Sequence, residues 1–286
     1  MPQLKKHHHY VPQFWIRAFR DGKDRLHCRE GKGVKVVAAR KVMQEDWLYT
    51  LFDQHWIPSD DLENELAVIE GSVAPIFDSV HDFGYRVSEE EREQLCEFLG
   101  LQASRHPDIL KLGIRRASEF ADVLARAHEF SVSEFIEQTK SGMNAKDATA
   151  CYYFLTAKSP AELRSQFEEV RTASPQNPRL PMQDALRAYK LIAGVISKMD
   201  LTLLDAPQEH TLVLGDTPMP QFDLQKGFRI PLSKSVALEA RAGIATGAGL
   251  SRRQASIAEV QEINHEQWAN AKRIVVGPDP AVLHAL

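Results

Sequence analysis

Cysteine is scarce in this chain: Cys28, Cys96 and Cys151 are the only three in 286 residues. They are odd in number, far apart and never spaced as in a CxxC motif, which excludes a disulfide framework and a thiolate zinc cluster and points to the cytoplasm. Long apolar runs are missing too. None reaches the roughly 18 residues a membrane span needs, and the first residues are charged and histidine-rich where a signal peptide would be apolar. No membrane association is therefore expected. Charge of one sign is absent as well, since 35 basic and 39 acidic residues leave a net charge of -4. Any contact with nucleic acid or a nucleotide must use a local basic patch, for which Arg115, Arg116 and Arg126 are candidates. There is no Walker loop, no GxGxxG after a strand, no GxSxG elbow and no HExxH. Readings as a nucleoside triphosphatase, a Rossmann oxidoreductase, an α/β-hydrolase or a zincin have no support.

What is present is the composition of a globular protein, 43% apolar and 26% charged. "DRLHCRE" and "GVKVVAA", joined around Gly31 and Gly33, have the pattern of a β-hairpin. From Ser59 the periodicity becomes helical. Ser59 or Asp60 can cap "SDDLENELAVIEGSVAPIFDSV", Ser88 with Glu91 forms a capping box, and "HPDILKLGIRRASEFADVLARAHEF" follows as a further helix. The stretch "RTASPQNPRLP" reads as a loop. "MQDALRAYKLIAGVISKMDLTLL" reads as helical to about Leu204. Strand signals return in "EHTLVLGD", "GFRIPLS" and "SVALEAR", and a final helix spans "EVQEINHEQWANAKRIVV". The expected fold class is α+β, with N- and C-terminal strands forming a common sheet around a mainly helical central region. The simplest organisation is a single domain over 1–286, with 59–204 as a helical insertion.

The stretch that chemistry could use is "KKHHHYVPQFW". The three histidines lead without a linker into an apolar segment that must pack, unlike the remnant of a purification tag. On an extended strand His7 and His9 share one face, while His8 and Tyr10 share the other. Two readings stay open: the imidazoles satisfy backbone groups at a strand end, or they serve a site. A divalent metal would need a third ligand beyond two nitrogens, and Asp216 in "LVLGDTPMP" is the candidate carboxylate. Arg105, at a helix end before His106 and Pro107, could satisfy free carbonyls or offer a fork to an anion.

In its motifs the chain resembles a bacterial family, the domain-of-unknown-function family four-two-three-eight, whose members open with His-His-Tyr-Val-Pro-Gln and an aromatic. The resemblance continues, in order, through "LENELAVIEG", "FLGLQASRHP", "GDTP", "IPLS" and "INHEQWANAKR". It matches His8, His9, Tyr10, Pro12, Gln13, Arg105, Pro107, Asp216, Pro218 and Asn264 to family positions, and implies that the histidine run is native. It moves the site pair from His7 and His9 to His8 and His9. Gly215 and Thr217 depart from the Ser and Asn usual in the family.

The leading expectation is a hydrolase or nuclease acting on a phosphodiester. His8, His9, Tyr10 and Asp216 would be catalytic, and His7, Gln13, Arg105, Thr217 and Asn264 would bind substrate, because a neutral imidazole exchanges protons near pH 7 and a guanidinium grips phosphate. The alternatives are an ADP-ribosyltransferase-like enzyme using NAD, and a non-catalytic binding module of the toxin-antitoxin or phage-defence kind with a protein partner. In that last reading the His-Tyr-Pro segment only locks the N-terminus in place.

Overall fold

The structure is a computed structural model and describes residues 5–52, 57–172, 189–220, 223–243 and 250–286. The sequence loop at 171–181 falls almost entirely outside the described residues. In chain order the elements are β1 His7–His9, α1 Gln13–Arg17, β2 Leu26–Glu30, β3 Gly33–Val37, β4 Gln44–Asp46, α2 Asp61–Ser79 and α3 Glu89–Ser104. There follow α4 Pro107–Ala125, α5 Val132–Thr139, α6 Ala145–Thr156, α7 Pro160–Arg171 and α8 Tyr189–Ile196. The chain then runs through β5 Asp200–Asp205, β6 Leu214–Gly215, β7 Phe228–Pro231, β8 Val236–Arg241, β9 Ser251–Gln254, α9 Ile257–Asn270, β10 Ile274–Gly277 and α10 Pro280–Ala285. Among the described residues no helix is long and apolar enough to cross a membrane.

Contacts divide the chain into two compact units, one of residues 1–50, 58–107 and 186–286 and the other of 51–57 and 108–185. In the first unit the N- and C-terminal strands share a four-stranded sheet of order β3-β2-β10-β6. The hairpin is as expected: β2 and β3 pair antiparallel, and Gly31 takes the left-handed φ of +59° that the turn requires. β10 sets Val276 opposite Cys28 on one side and Leu214 on the other. "GFRIPLS" and "SVALEAR" belong instead to a second sheet of order β9-β5-β8-β7, in which β9 and β5 run parallel.

Two segments differ from their sequence reading. Leu201–Leu204, taken as the end of a helix, lies in β5, an inner strand of the second sheet. "IVV", taken as the tail of the last helix, opens β10, which joins the chain's two ends. Both are short apolar runs, and in a strand buried on both faces periodicity cannot separate strand from helix.

The helices of this unit follow their caps. Ser88 and Glu91 make the reciprocal capping box of α3. α2 runs through Pro75 to Ser79, burying Leu62, Leu66, Val73, Ile76 and Phe77. α3 and α8 cross at Gly100, where an added Cβ would sit 2.5 Å from the Tyr189 carbonyl oxygen. The core below α1 is aromatic: the Trp15 ring lies 5.4 Å from Phe77 and 5.5 Å from Phe98, and its indole N–H donates to the Pro231 carbonyl at 2.9 Å. The second unit is helical, with Ala127, Phe135, Leu155 and Leu163 buried at its centre and capping boxes at Ser131 and Ser159.

Candidate functional site

The histidine run forms β1, paired antiparallel with β4 so that His7 faces Asp46, His8 faces Glu45 and His9 faces Gln44. The pleat sends the three imidazoles to different surroundings. His7 is exposed, with Nδ1 2.6 Å from the Asp46 carboxylate. His8 is fully buried, its ring stacked on Tyr49 at 5.6 Å and 3° between planes. Its Nδ1 accepts the Tyr49 backbone N–H at 2.7 Å, and its Nε2 lies 2.9 Å from the Lys5 carbonyl. A carbonyl can only accept and that N–H can only donate, so the ring is neutral with its proton on Nε2. Burial lowers its pKa in the same sense.

His9 is half-buried, and its Nε2 is buried without a hydrogen-bond partner among the described residues. Its pKa is pushed down to about 4, first by burial and then by the charge of Arg105, against the pull of the Ala39 and Arg40 backbone. The imidazole therefore stays a neutral base across the physiological range.

Tyr10 is buried, its carbonyl accepting from Gln102 Nε2 at 2.7 Å and its ring edge-on to His106 at 5.1 Å. Gln13 is half-buried, opens α1 behind Pro12 and accepts from Arg17 at 2.7 Å.

Arg105 closes α3 as its C-cap and is 1% exposed. Its donors are directed inward: Nε to the Tyr49 hydroxyl at 3.1 Å, Nη1 to Glu70 at 2.6 Å and Nη2 to the His9 carbonyl at 2.5 Å. The Tyr49 hydroxyl in turn donates to the Arg105 carbonyl at 3.1 Å. Burial works against the guanidinium's charge, but Tyr49 and Glu70 more than offset it and hold the pKa above its ordinary value. Burial pushes the Tyr49 phenol up to about 12, so it remains neutral.

Asp216, Thr217 and Asn264 make a second group, where β6 meets α9 and β10. The Asp216 carboxylate is buried and accepts the backbone N–H groups of Lys272 at 2.8 Å, Arg273 at 3.0 Å and Ile274 at 3.4 Å. Burial raises its pKa, and those three amides oppose the rise. Asn264 accepts from Val213 N–H at 3.0 Å and donates to the Thr211 carbonyl at 2.9 Å. Gln267, one helical turn on, accepts from Gly215 N–H at 3.0 Å and donates to the Pro218 carbonyl at 3.1 Å. An added Cβ at Gly215 would lie 2.7 Å from the Gln267 carbonyl oxygen, which accounts for glycine where the resemblance leads one to expect serine. Thr217 is 4% exposed and its hydroxyl has no hydrogen-bond partner among the described residues.

One set of contacts thus links His8, His9, Tyr10 and Arg105, and a second set in the same unit holds Asp216 and Asn264. No hydrogen bond or ion pair among the described residues joins Asp216 to His7, His8 or His9. The groups approach each other through Arg273, whose Nη2 lies 4.0 Å from Glu45. Among the described residues no three His, Cys, Asp or Glu side chains are grouped to hold a metal ion. In the second unit Arg115 lies 3.8 Å from Glu119, and Arg126 is paired with Asp122 and Glu129, so much of that basic charge is locally matched.

Sequence reasoning missed Tyr49, Glu70, Gln102 and Gln267. The signal for Gln267 was its spacing, three residues after Asn264 on one helix face. Tyr49 and Glu70 carry no local signal, because only tertiary packing brings them to Arg105.

Fold and site together define an α+β protein in which a histidine-bearing N-terminal strand is clamped by a buried arginine and the C-terminal strand is clamped by a buried aspartate. A family model described as a protein of unknown function, DUF4238, matches residues 7–280, nearly the whole chain, and the chain belongs to that family. No curated protein and no solved structure matches it.

Proposed function

We propose that the protein is a non-catalytic binding module in which the His-His-Tyr-Val-Pro-Gln segment locks the start of the chain into the fold. The observation that supports this most is the burial of Arg105: its three nitrogens are directed to Tyr49, Glu70 and the His9 carbonyl, leaving no exposed fork for a phosphate. Asp216 is committed in the same way to three backbone amides. Such a module would act through a protein partner or a small ligand, as a toxin-antitoxin or phage-defence component does.

One observation favours the second reading, an enzyme cleaving a phosphodiester or transferring from NAD. His9 carries a neutral imidazole whose Nε2 has no partner among the described residues, the state a general base requires. The experiment is incubation of the full chain with single-stranded DNA, RNA and NAD, with and without Mg2+, Mn2+ or Zn2+. No turnover is expected. Turnover abolished in His9→Ala, with the melting temperature kept, would establish the enzyme reading instead.

A further inference from the structure

The surroundings of His8 allow its ring one proton and no more. Nδ1 accepts the Tyr49 backbone N–H at 2.7 Å, and Nε2 donates to the Lys5 carbonyl at 2.9 Å. The residue has no exposed surface and its ring is stacked on Tyr49. A second proton would put an N–H on Nδ1 aimed at the Tyr49 N–H, so two donors would face each other where a donor now meets an acceptor. In a buried position that mismatch carries a charge as well, and it costs more than the loss of one neutral bond.

The neighbouring acids are already engaged. Asp60, at the start of α2, accepts the Lys5 backbone N–H at 2.9 Å, and Glu63 on α2 lies 3.8 Å from the Lys5 ammonium. Glu45, opposite His8 on β4, lies 4.0 Å from Arg273, Asp46 takes His7, and Glu70 takes Arg105. Burial holds the His8 pKa below its ordinary value, the Lys5 carbonyl and Asp60 oppose that only in part, and the charges of Lys5 and Arg105 add to it.

The element that yields is defined by the topology. β1 and β4 form a two-stranded sheet of three residue pairs, outside both four-stranded sheets, and a two-stranded ribbon is marginal alone. Past its last pair the ribbon is extended by the Trp47 N–H on the Lys6 carbonyl at 2.8 Å and by the Tyr49 N–H on His8. The next residues are held independently of His8, since Arg105 donates to the His9 carbonyl and Gln102 to the Tyr10 carbonyl. Opening at His8 therefore stops short of α1.

We propose that His8 is a proton sensor that releases residues 5–8 from β4 and from Tyr49 when the solution turns acidic, while the two four-stranded sheets stay folded. In the released segment the ring meets water and takes a proton near pH 6.5, which the closed ribbon resists. Below that pH the open form gains by up to about tenfold per pH unit until the closed ring titrates too. The release goes beyond the choice between binding module and enzyme and depends on neither.

The test is amide hydrogen exchange of the full chain, read residue by residue by NMR between pH 7.5 and 5.0 and corrected for intrinsic exchange rates. Protection of the Trp47 and Tyr49 amides should fall about tenfold or more from pH 7.0 to 5.0, and that of β5 and β8 by less than about threefold. His8→Asn keeps a side-chain oxygen that can accept from Tyr49 but cannot be charged, so its Trp47 and Tyr49 amides should lose less than about threefold. In the parent the His8 ring signals should titrate together with the loss, and they decide the matter if His8→Asn does not fold. Constant protection at Trp47 and Tyr49, an equal loss in β5 and β8, a loss as steep in a folded His8→Asn, or a His8 ring that stays neutral while the amides open would each overturn the proposal.

Discussion

The Arg105 clamp and the Asp216 clasp sit in one unit, yet they hold the two ends of the chain differently, one through guanidinium donors and the other through a carboxylate acceptor. Around Arg105 each guanidinium nitrogen that could meet a ligand has an internal acceptor, and His8 has a partner on both ring nitrogens. Around Asp216 the carboxylate accepts three backbone N–H groups, and each region keeps one unpartnered polar atom among the described residues, the His9 Nε2 beside the clamp and the Thr217 hydroxyl beside the clasp. A buried polar group that is fully satisfied rigidifies the fold, whereas one left over costs stability. Within the histidine-rich motif, both ring nitrogens of His8 are spent on the fold, whereas the Nε2 of His9 is not.

The largest expected effect is on the clamp's apolar side. Trp15 is 0% exposed and its indole is hydrogen-bonded to Pro231, so Trp15→Ala should cost roughly 3 to 5 kcal/mol in urea unfolding. A loss as small as that of an exposed site would remove the contrast between the two regions. Asp216→Ala comes next: three backbone amides lose their acceptor, and a loss of about 1 to 3 kcal/mol should appear in the same measurement.

His9 sharpens the comparison through pH. Its folded pKa of about 4 lies below the ordinary 6.5, so the unfolded chain takes the proton first as pH falls. Stability contributed by the neutral ring is complete above about pH 6.5 and is lost progressively down to about pH 4, with the buried His8 ring acting in the same direction. His9→Gln should flatten part of that fall in melts taken every half unit from pH 7 to 4. An unchanged slope would show that His9 is not held neutral. His7 should matter least. It is exposed and paired only with Asp46, and His7→Ala should leave Tm within about 2 °C.

Much of the fold was legible from local chemistry. The Ser88 capping box, the Gly31 hairpin and the helical stripe from Leu62 to Phe77 all follow from short-range rules, and all are present. The α+β class with joined N- and C-terminal strands was legible too, but the strand that joins them was not: "IVVG" is four apolar residues after a helix, and only its pairing with Leu26–Glu30 makes it a strand. In the site, the presence of His8, His9, Tyr10 and Arg105 could be read, but not their surroundings. Tyr49 comes 41 residues after His8, and Glu70 comes 35 residues before Arg105. No periodicity encodes contacts of that span.

The most direct measurement of the clamp is the unfolding free energy of Arg105→Lys. Lysine keeps the positive charge that would attract a phosphate but cannot bridge Tyr49, Glu70 and the His9 carbonyl at once. If Arg105 holds the fold, the variant should lose about 2 kcal/mol or more, because buried acceptors are left unpaired. Parent-like stability in Arg105→Lys would contradict the clamp and return Arg105 to the role of an anion ligand.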